Sequence, residues 1–139
     1  MSRALVNVAV DSCRGLEGGA PRSLYDPCAG SGTNLYSAAL RGLRASGSDR
    51  DATKVAGCRR NLDHVRLPGS VATVDASEDA ARLLHRAADA DCCVLNLPWG
   101  EKVREAFRGD NDKILANVSR ACRPQGGNRG LQCHFNFRM

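Results

Sequence analysis

The stretch Ser23-Leu24-Tyr25-Asp26-Pro27-Cys28-Ala29-Gly30-Ser31-Gly32-Thr33 decides how this chain is read. A short apolar run ends in an acid, Pro27 stops the ladder, and two glycines one residue apart open a helix-patterned segment that runs to Arg44. Having no side chain, Gly30 and Gly32 permit a tight turn and close approach of a ligand to the backbone. The flanking charge narrows that ligand: Asp26 repels a pyrophosphate and tolerates a cationic amine or sulfonium. The lysine and Ser/Thr that follow a phosphate-binding P-loop glycine are absent. Leu35 stands where a dinucleotide fingerprint has its third glycine.

Outward from this turn, the pattern alternates between short apolar runs and helical periods. Ser2 to Leu16 suits a helix with Ala4, Leu5, Val8 and Ala9 on one face and Ser2 as cap. Strand one covers Arg22 to Tyr25, and the helix from Thr33 to Arg44 turns Leu35, Ala38, Ala39 and Leu43 inward. Ala45 to Ser48 is a strand ending at Asp49. A helix from Asp51 to Leu62 follows, apolar at Val55, Ala56 and Leu62, with Arg59 and Arg60 outside. Ser70 to Val74 alternates as a third strand before Asp75, and Glu78 to Ala88 is helical through Ala80, Ala81, Leu84 and Ala88. Asp91 to Leu95 is a fourth strand ending at Asn96, which Leu97-Pro98-Trp99-Gly100 cannot continue. A broken helical region over Glu101 to Phe107, a cleaner helix from Asp110 to Cys122 and a fifth strand within Leu131 to Phe137 complete the reading.

Alternating strands and helices specify an α/β domain with a mostly parallel sheet. Such sheets bind ligands beyond the carboxyl ends of their strands. Asp26, Asp49, Asp75 and Asn96 each close a strand, about 21 to 26 residues apart, so right-handed crossovers bring all four to one edge. One strand-ending acid is ordinarily a cap or turn residue. Four in succession, the first followed by a glycine turn, mark a site.

Composition bounds the rest. The 139 residues suffice for one domain, with a leading helix in 1–20 and an irregular or edge-strand tail in 128–139. Apolar residues make up 42% but aromatics only 4%, so alanine, leucine and valine must fill the core. The net charge of +5 is compatible with nucleic acid and equally with solvated arginines. Seven scattered cysteines without a Cys-x-x-Cys pair read as reduced thiols rather than a disulfide frame or metal site. No apolar run is long enough to span a membrane, so the expected location is cytoplasmic.

The full string of strand, Asp-Pro, Gly30-Ser31-Gly32-Thr33 and helix resembles the cofactor loop of S-adenosylmethionine-dependent methyltransferases that modify exocyclic base amines. The segment Asn96-Leu97-Pro98-Trp99-Gly100 resembles their Asn/Asp-Pro-Pro-aromatic tetrad. Leu97 in place of the first proline is similar to the guanine-amine transferases that carry a THUMP RNA-binding domain and to related RNA methylases. Arg3-Ala4-Leu5-Val6-Asn7 looks like the helix that precedes their first strand. The resemblance implies a Rossmann-like class I sheet of order 3-2-1-4-5 with helices on both faces, S-adenosylmethionine as cofactor, and RNA (tRNA or rRNA) as substrate. It implies that Asp49 accepts the ribose hydroxyls and Asp75 the adenine amine. Asp26, Cys28, Gly30, Gly32 and Thr33 would bracket the methionine end, beside Asn96. Asn96, Pro98 and Trp99 would hold and stack the target base, guanine N2 being favoured over adenine N6. The family continues past its fifth strand and carries an RNA-binding domain. The reading therefore expects missing last strands, with a truncated cofactor-binding or partner-dependent domain as the alternative. A protein-glutamine or DNA-adenine methyltransferase is a further one.

Overall fold

The computed structural model describes residues 2–13, 20–97, 110–121 and 132–136. Its elements, in chain order, are α1 (Ser2–Cys13), β1 (Ser23–Asp26), α2 (Thr33–Ala39), β2 (Arg44–Asp49), α3 (Ala52–His64), β3 (Gly69–Thr73), α4 (Ala80–Ala87), β4 (Cys92–Asn96), α5 (Asp110–Ala121) and β5 (Gln132–Asn136). The strands form one sheet of order β3-β2-β1-β4-β5, and every pairing is parallel. The expected strand order therefore holds, and β1 lies at the centre.

Side-chain alternation divides the interior into two layers. Leu24, Ala45, Val71, Cys92 and Val94 pack against Val6, Ala9 and Val10 of α1, Leu35, Ala38 and Ala39 of α2, and Val55, Cys58 and Leu62 of α3. On the opposite face, Tyr25, Cys93 and Leu95 meet Leu83 and Ala87 of α4 and Ile114 and Val118 of α5. Three expected helix faces change. In α1 the buried set is Val6, Ala9 and Val10, while Val8 is 57% exposed. In α3 Cys58 is buried and Ala56 is exposed. In α4 Leu83 and Ala87 are buried whereas Ala81 and Ala88 are exposed. Alanine fits either side of a helix, so an alanine-rich period with two adjacent leucines fixes the face poorly; in α4 the cluster with Ile114 and Val118 takes Leu83 and leaves Leu84 partly exposed.

The second helix is shorter than its periodicity suggests. It stops at Ala39, the chain turns through Gly42 at φ 75°, and Leu43 re-enters the core beside β2. Asp51 caps α3 by accepting from the Thr53 and Lys54 amides, and Asp79 caps α4 by accepting from the Arg82 amide. At the amino rim, Asp91 Oδ2 accepts from the amides of Arg22 and Ser23 and from Ser23 Oγ, which sets β1 against β4. On the second face Tyr25 Oη and Ser48 Oγ lie 2.7 Å apart, coupling β1 to β2. Burial pushes the Tyr25 phenol well above its ordinary range, so it stays neutral.

Candidate cofactor and acceptor site

The parallel sheet places the carboxyl ends of β1, β2 and β4 on one rim, where the sequence-predicted residues gather. Asp26 ends β1 but does not face solvent: it is 1% exposed. Its Oδ1 accepts from the Cys28 amide at 2.9 Å and its Oδ2 from Asn34 Nδ2 at 2.8 Å. Burial outweighs those two hydrogen bonds and raises the carboxyl to about 6, with the nearby Asp49 adding to the rise. Asp26 thus acts on the turn it anchors, and the expected electrostatic contact with a ligand is indirect.

Asp49 anchors the other side of that turn. Its Oδ2 accepts from the Gly30 amide and its Oδ1 from the Asp51 amide, at 2.9 and 3.0 Å. An ionised carboxylate has about four acceptor sites, so two remain for a pair of hydroxyl donors. The Ala29 amide donates to the Ser48 carbonyl at 2.8 Å, and Gly32 donates to Ala29. These bonds pin the loop onto the end of β2.

The glycines are required by geometry. Gly30 and Gly32 have φ of 54° and 89°. A Cβ on Gly30 would meet nothing within 4 Å, so its backbone is open to a ligand, whereas one on Gly32 would lie 2.5 Å from Cys58 Sγ. Gly32 is thus needed for α2 to pack on α3, whereas at Gly30 the positive φ alone favours glycine. Thr33, exposed, begins α2. Cys28 is half-buried, and burial with the surrounding carboxylates of Asp26, Asp49 and Asp75 keeps its thiol protonated.

Asp75 lies two residues beyond the end of β3 rather than on the strand. Burial pushes its carboxyl up, but hydrogen bonds from the Ser77 hydroxyl and amide outweigh this and hold it below the ordinary range. α5 closes over that loop: Asn117 Nδ2 donates to the Ala76 carbonyl, and Lys113 pairs with Glu78. Arg50, next to Asp49, pairs with Asp110 at the start of α5 at 3.0 Å. Asn96 ends β4 on the same rim and Leu97 is buried behind it. Pro98 and Trp99 lie outside the described residues.

Three contributors escaped the sequence reading. Gly47 is one, because its Cβ would sit 2.7 Å from the Asp26 carbonyl; a glycine inside a strand was the available signal. Ser77 orients Asp75. Asn34 is the third: it holds Asp26, and its position one turn before Ala38 on an inward stripe marks a buried polar group. Arg59, on the outer face of α3, donates to the Val71 carbonyl on the edge strand β3. Among the described residues, no group of three His, Cys, Asp or Glu side chains forms a metal site. No helix among them is long and apolar enough to cross a membrane.

Cavity size alone does not find this rim. A cavity of about 540 Å³ opens at the amino ends of the strands, between Ser23, Arg44, Gly69 and Arg86, remote from the glycine turn. A smaller cleft of about 260 Å³, lined by Gly32, Tyr36, Asn61 and Val65, lies beside the turn. The convergence of acids, open backbone and strand ends is the better guide.

The sheet order and helix layers define a Rossmann-like domain, and the rim is the edge at which such sheets take ligands. The profile described as "RMKL-like, methyltransferase domain" matches residues 2–133, and the chain belongs to that family. Solved structures share the fold. A TehB-like SAM-dependent methyltransferase from Corynebacterium glutamicum is 18% identical with a TM-score of 0.58, over 86% of this chain and 55% of its own. A proposed RNA methyltransferase from Pyrococcus horikoshii is 22% identical with a TM-score of 0.56, over 84% and 52%. An rRNA methylase from Streptococcus thermophilus is 15% identical with a TM-score of 0.56, over 97% and 69%. The chain thus spans about half the length of the first two. No curated protein sequence matches it.

Proposed function

We propose that this domain transfers a methyl group from S-adenosylmethionine to an exocyclic amine of an RNA base, guanine N2 in preference to adenine N6. The observation that carries the reading is the adjacency of β1 and β4. Parallel pairing of Leu24 with Cys92 and Tyr25 with Cys93 supports it by bringing Asn96 to the same edge of the sheet as the glycine turn.

The residues present suit the cofactor. Asp49 presents spare acceptor positions for the ribose diol, Asp75 is held ionised for the adenine amine, and the backbone at Gly30 is open for the methionine end. The bound cofactor supplies an electrophilic methyl on a sulfonium. The Asn96 side-chain oxygen and the Leu97 or Pro98 carbonyl accept from the amine hydrogens and turn its lone pair toward that methyl. The amine nitrogen would take that methyl while the sulfur keeps the electron pair of the broken C–S bond, and the amine would release one proton to solvent. Trp99 offers a flat face for the base. The RNA assignment draws on the Leu97-Pro98-Trp99-Gly100 wording of the corner and on the two RNA-modifying relatives of the same fold.

Calorimetric titration with S-adenosylmethionine, followed by transfer of labelled methyl to total RNA, tests the reading. Label in a base amine is the expected result. Cofactor binding with label in protein glutamine or DNA would replace the substrate assignment, and folded protein that binds no cofactor would overturn the activity.

A further inference from the structure

Among the described residues two buried side-chain oxygens lack a hydrogen-bond partner, Asn111 Oδ1 in α5 and Asn34 Oδ1, and the second lies beside the glycine turn. Asn34 is 5% exposed, its Nδ2 donates to Asp26, and its Oδ1 has no partner. The amide cannot be turned over to repair this, because its oxygen would then face the Asp26 carboxylate. A buried acceptor without a donor is rare in a settled fold and calls for a ligand that brings one.

The location says which. Asn34 lies in the first turn of α2, one residue past Thr33, and bridges to the end of β1. Alternation puts Asp26 on the face of β1 shared by Leu24, and Asn96 on the face of β4 shared by Cys92 and Val94; both are the face covered by α2. Asn34 therefore sits over the end of β1, on the side of the sheet that carries the glycine turn and Asn96. Donation to Asp26 also draws electron density toward Oδ1 and strengthens it as an acceptor. The partner it suits is a cationic N–H donor.

We propose that Asn34 Oδ1 accepts a hydrogen bond from the α-ammonium of the cofactor's methionine moiety, making Asn34 a binding residue that selects for the amino group. The inference rests on the methyltransferase reading above. Asp26 then serves as a positioning residue that fixes which end of the amide faces the ligand.

The test measures binding rather than turnover. S-adenosylhomocysteine is titrated against its deaminated counterpart, 5′-(3-carboxypropyl)thioadenosine, which keeps the carboxylate and lacks the ammonium. The parent chain is expected to prefer the first. Asn34→Leu removes the acceptor and is expected to lower affinity for S-adenosylhomocysteine by about tenfold while leaving the deaminated ligand within about twofold. Asp26→Asn guards against misfolding: its own amide forces Asn34 to turn over and present Nδ2 to the ammonium, with the same selective loss expected. Equal weakening of both ligands, or no change in either variant, overturns the proposal, and a water on Oδ1 would give the second result. A parent chain that binds neither ligand rejects the cofactor reading and this inference with it. Tight, equal binding of both ligands by the parent rejects the inference alone.

Discussion

Replacing Asp26 by asparagine should stabilise the protein at neutral pH, although it touches the centre of the site. Asp26 is fully enclosed, and its carboxyl rises from an ordinary 3.8 to about 6 in the fold. The folded chain therefore holds its proton more tightly than the unfolded chain does. Stability is greatest below the unfolded value and falls as pH rises through the interval from 3.8 to about 6. At about 1.4 kcal/mol per pH unit, keeping this carboxylate ionised and buried costs about 3 kcal/mol at pH 7. Asparagine keeps the bond from the Cys28 amide and, with the Asn34 amide turned over, the contact to Asn34, and it carries no charge. Urea unfolding at pH 5 and pH 7.5 is the assay. A gain of about 1–3 kcal/mol at pH 7.5, shrinking toward pH 5, is the expected result. Destabilisation at pH 7.5 with an unchanged pH profile would refute the burial argument. The expected loss of cofactor affinity in the same variant would show the buried charge being retained for function at the expense of stability.

Other substitutions test the same architecture. Gly47→Ala drives a methyl to 2.7 Å from the Asp26 carbonyl between two paired strands, and should cost more than about 2 kcal/mol in urea unfolding. Gly32→Ala combines positive φ with the Cys58 sulfur at 2.5 Å; the double variant with Cys58→Ala should recover only the steric part of its loss. Asp49→Ala removes the acceptor for the Gly30 and Asp51 amides and should weaken S-adenosylhomocysteine at least tenfold by calorimetry. Arg50→Ala breaks a partly exposed pair with Asp110 and should change stability by about 1 kcal/mol or less. Cys58, Cys92 and Cys93 are buried, and burial raises the Cys58 and Cys93 thiols, so all three should resist labelling in native protein and react on unfolding.

The sequence by itself determined the architecture. Strand-helix alternation, the two-glycine turn and the strand-ending acids are local features, and local features survive in one dimension. They give a parallel sheet, bring Asp26, Asp49, Asp75 and Asn96 to its carboxyl edge, and mark the glycine turn before any contact is known. Boundaries erred where two local signals competed, as at the end of α2, where helical periodicity ran on to Arg44 but Gly42 turned the chain after Ala39. Helix faces erred where alanine left the choice to partners elsewhere in the chain.

Only the tertiary structure decided what each acid does. Asp26 and Asp49 look alike as strand-ending residues. Asp26 is sealed under α2 with a raised carboxyl, while Asp49 grips the glycine turn through the Gly30 and Asp51 amides. That difference comes from what packs over each side chain, which depends on residues such as Asn34 and Gly47 that are distant along the chain or innocuous in it. Burial and pairing are properties of the assembled neighbourhood, and they set both the charge of a group and the direction in which it can act.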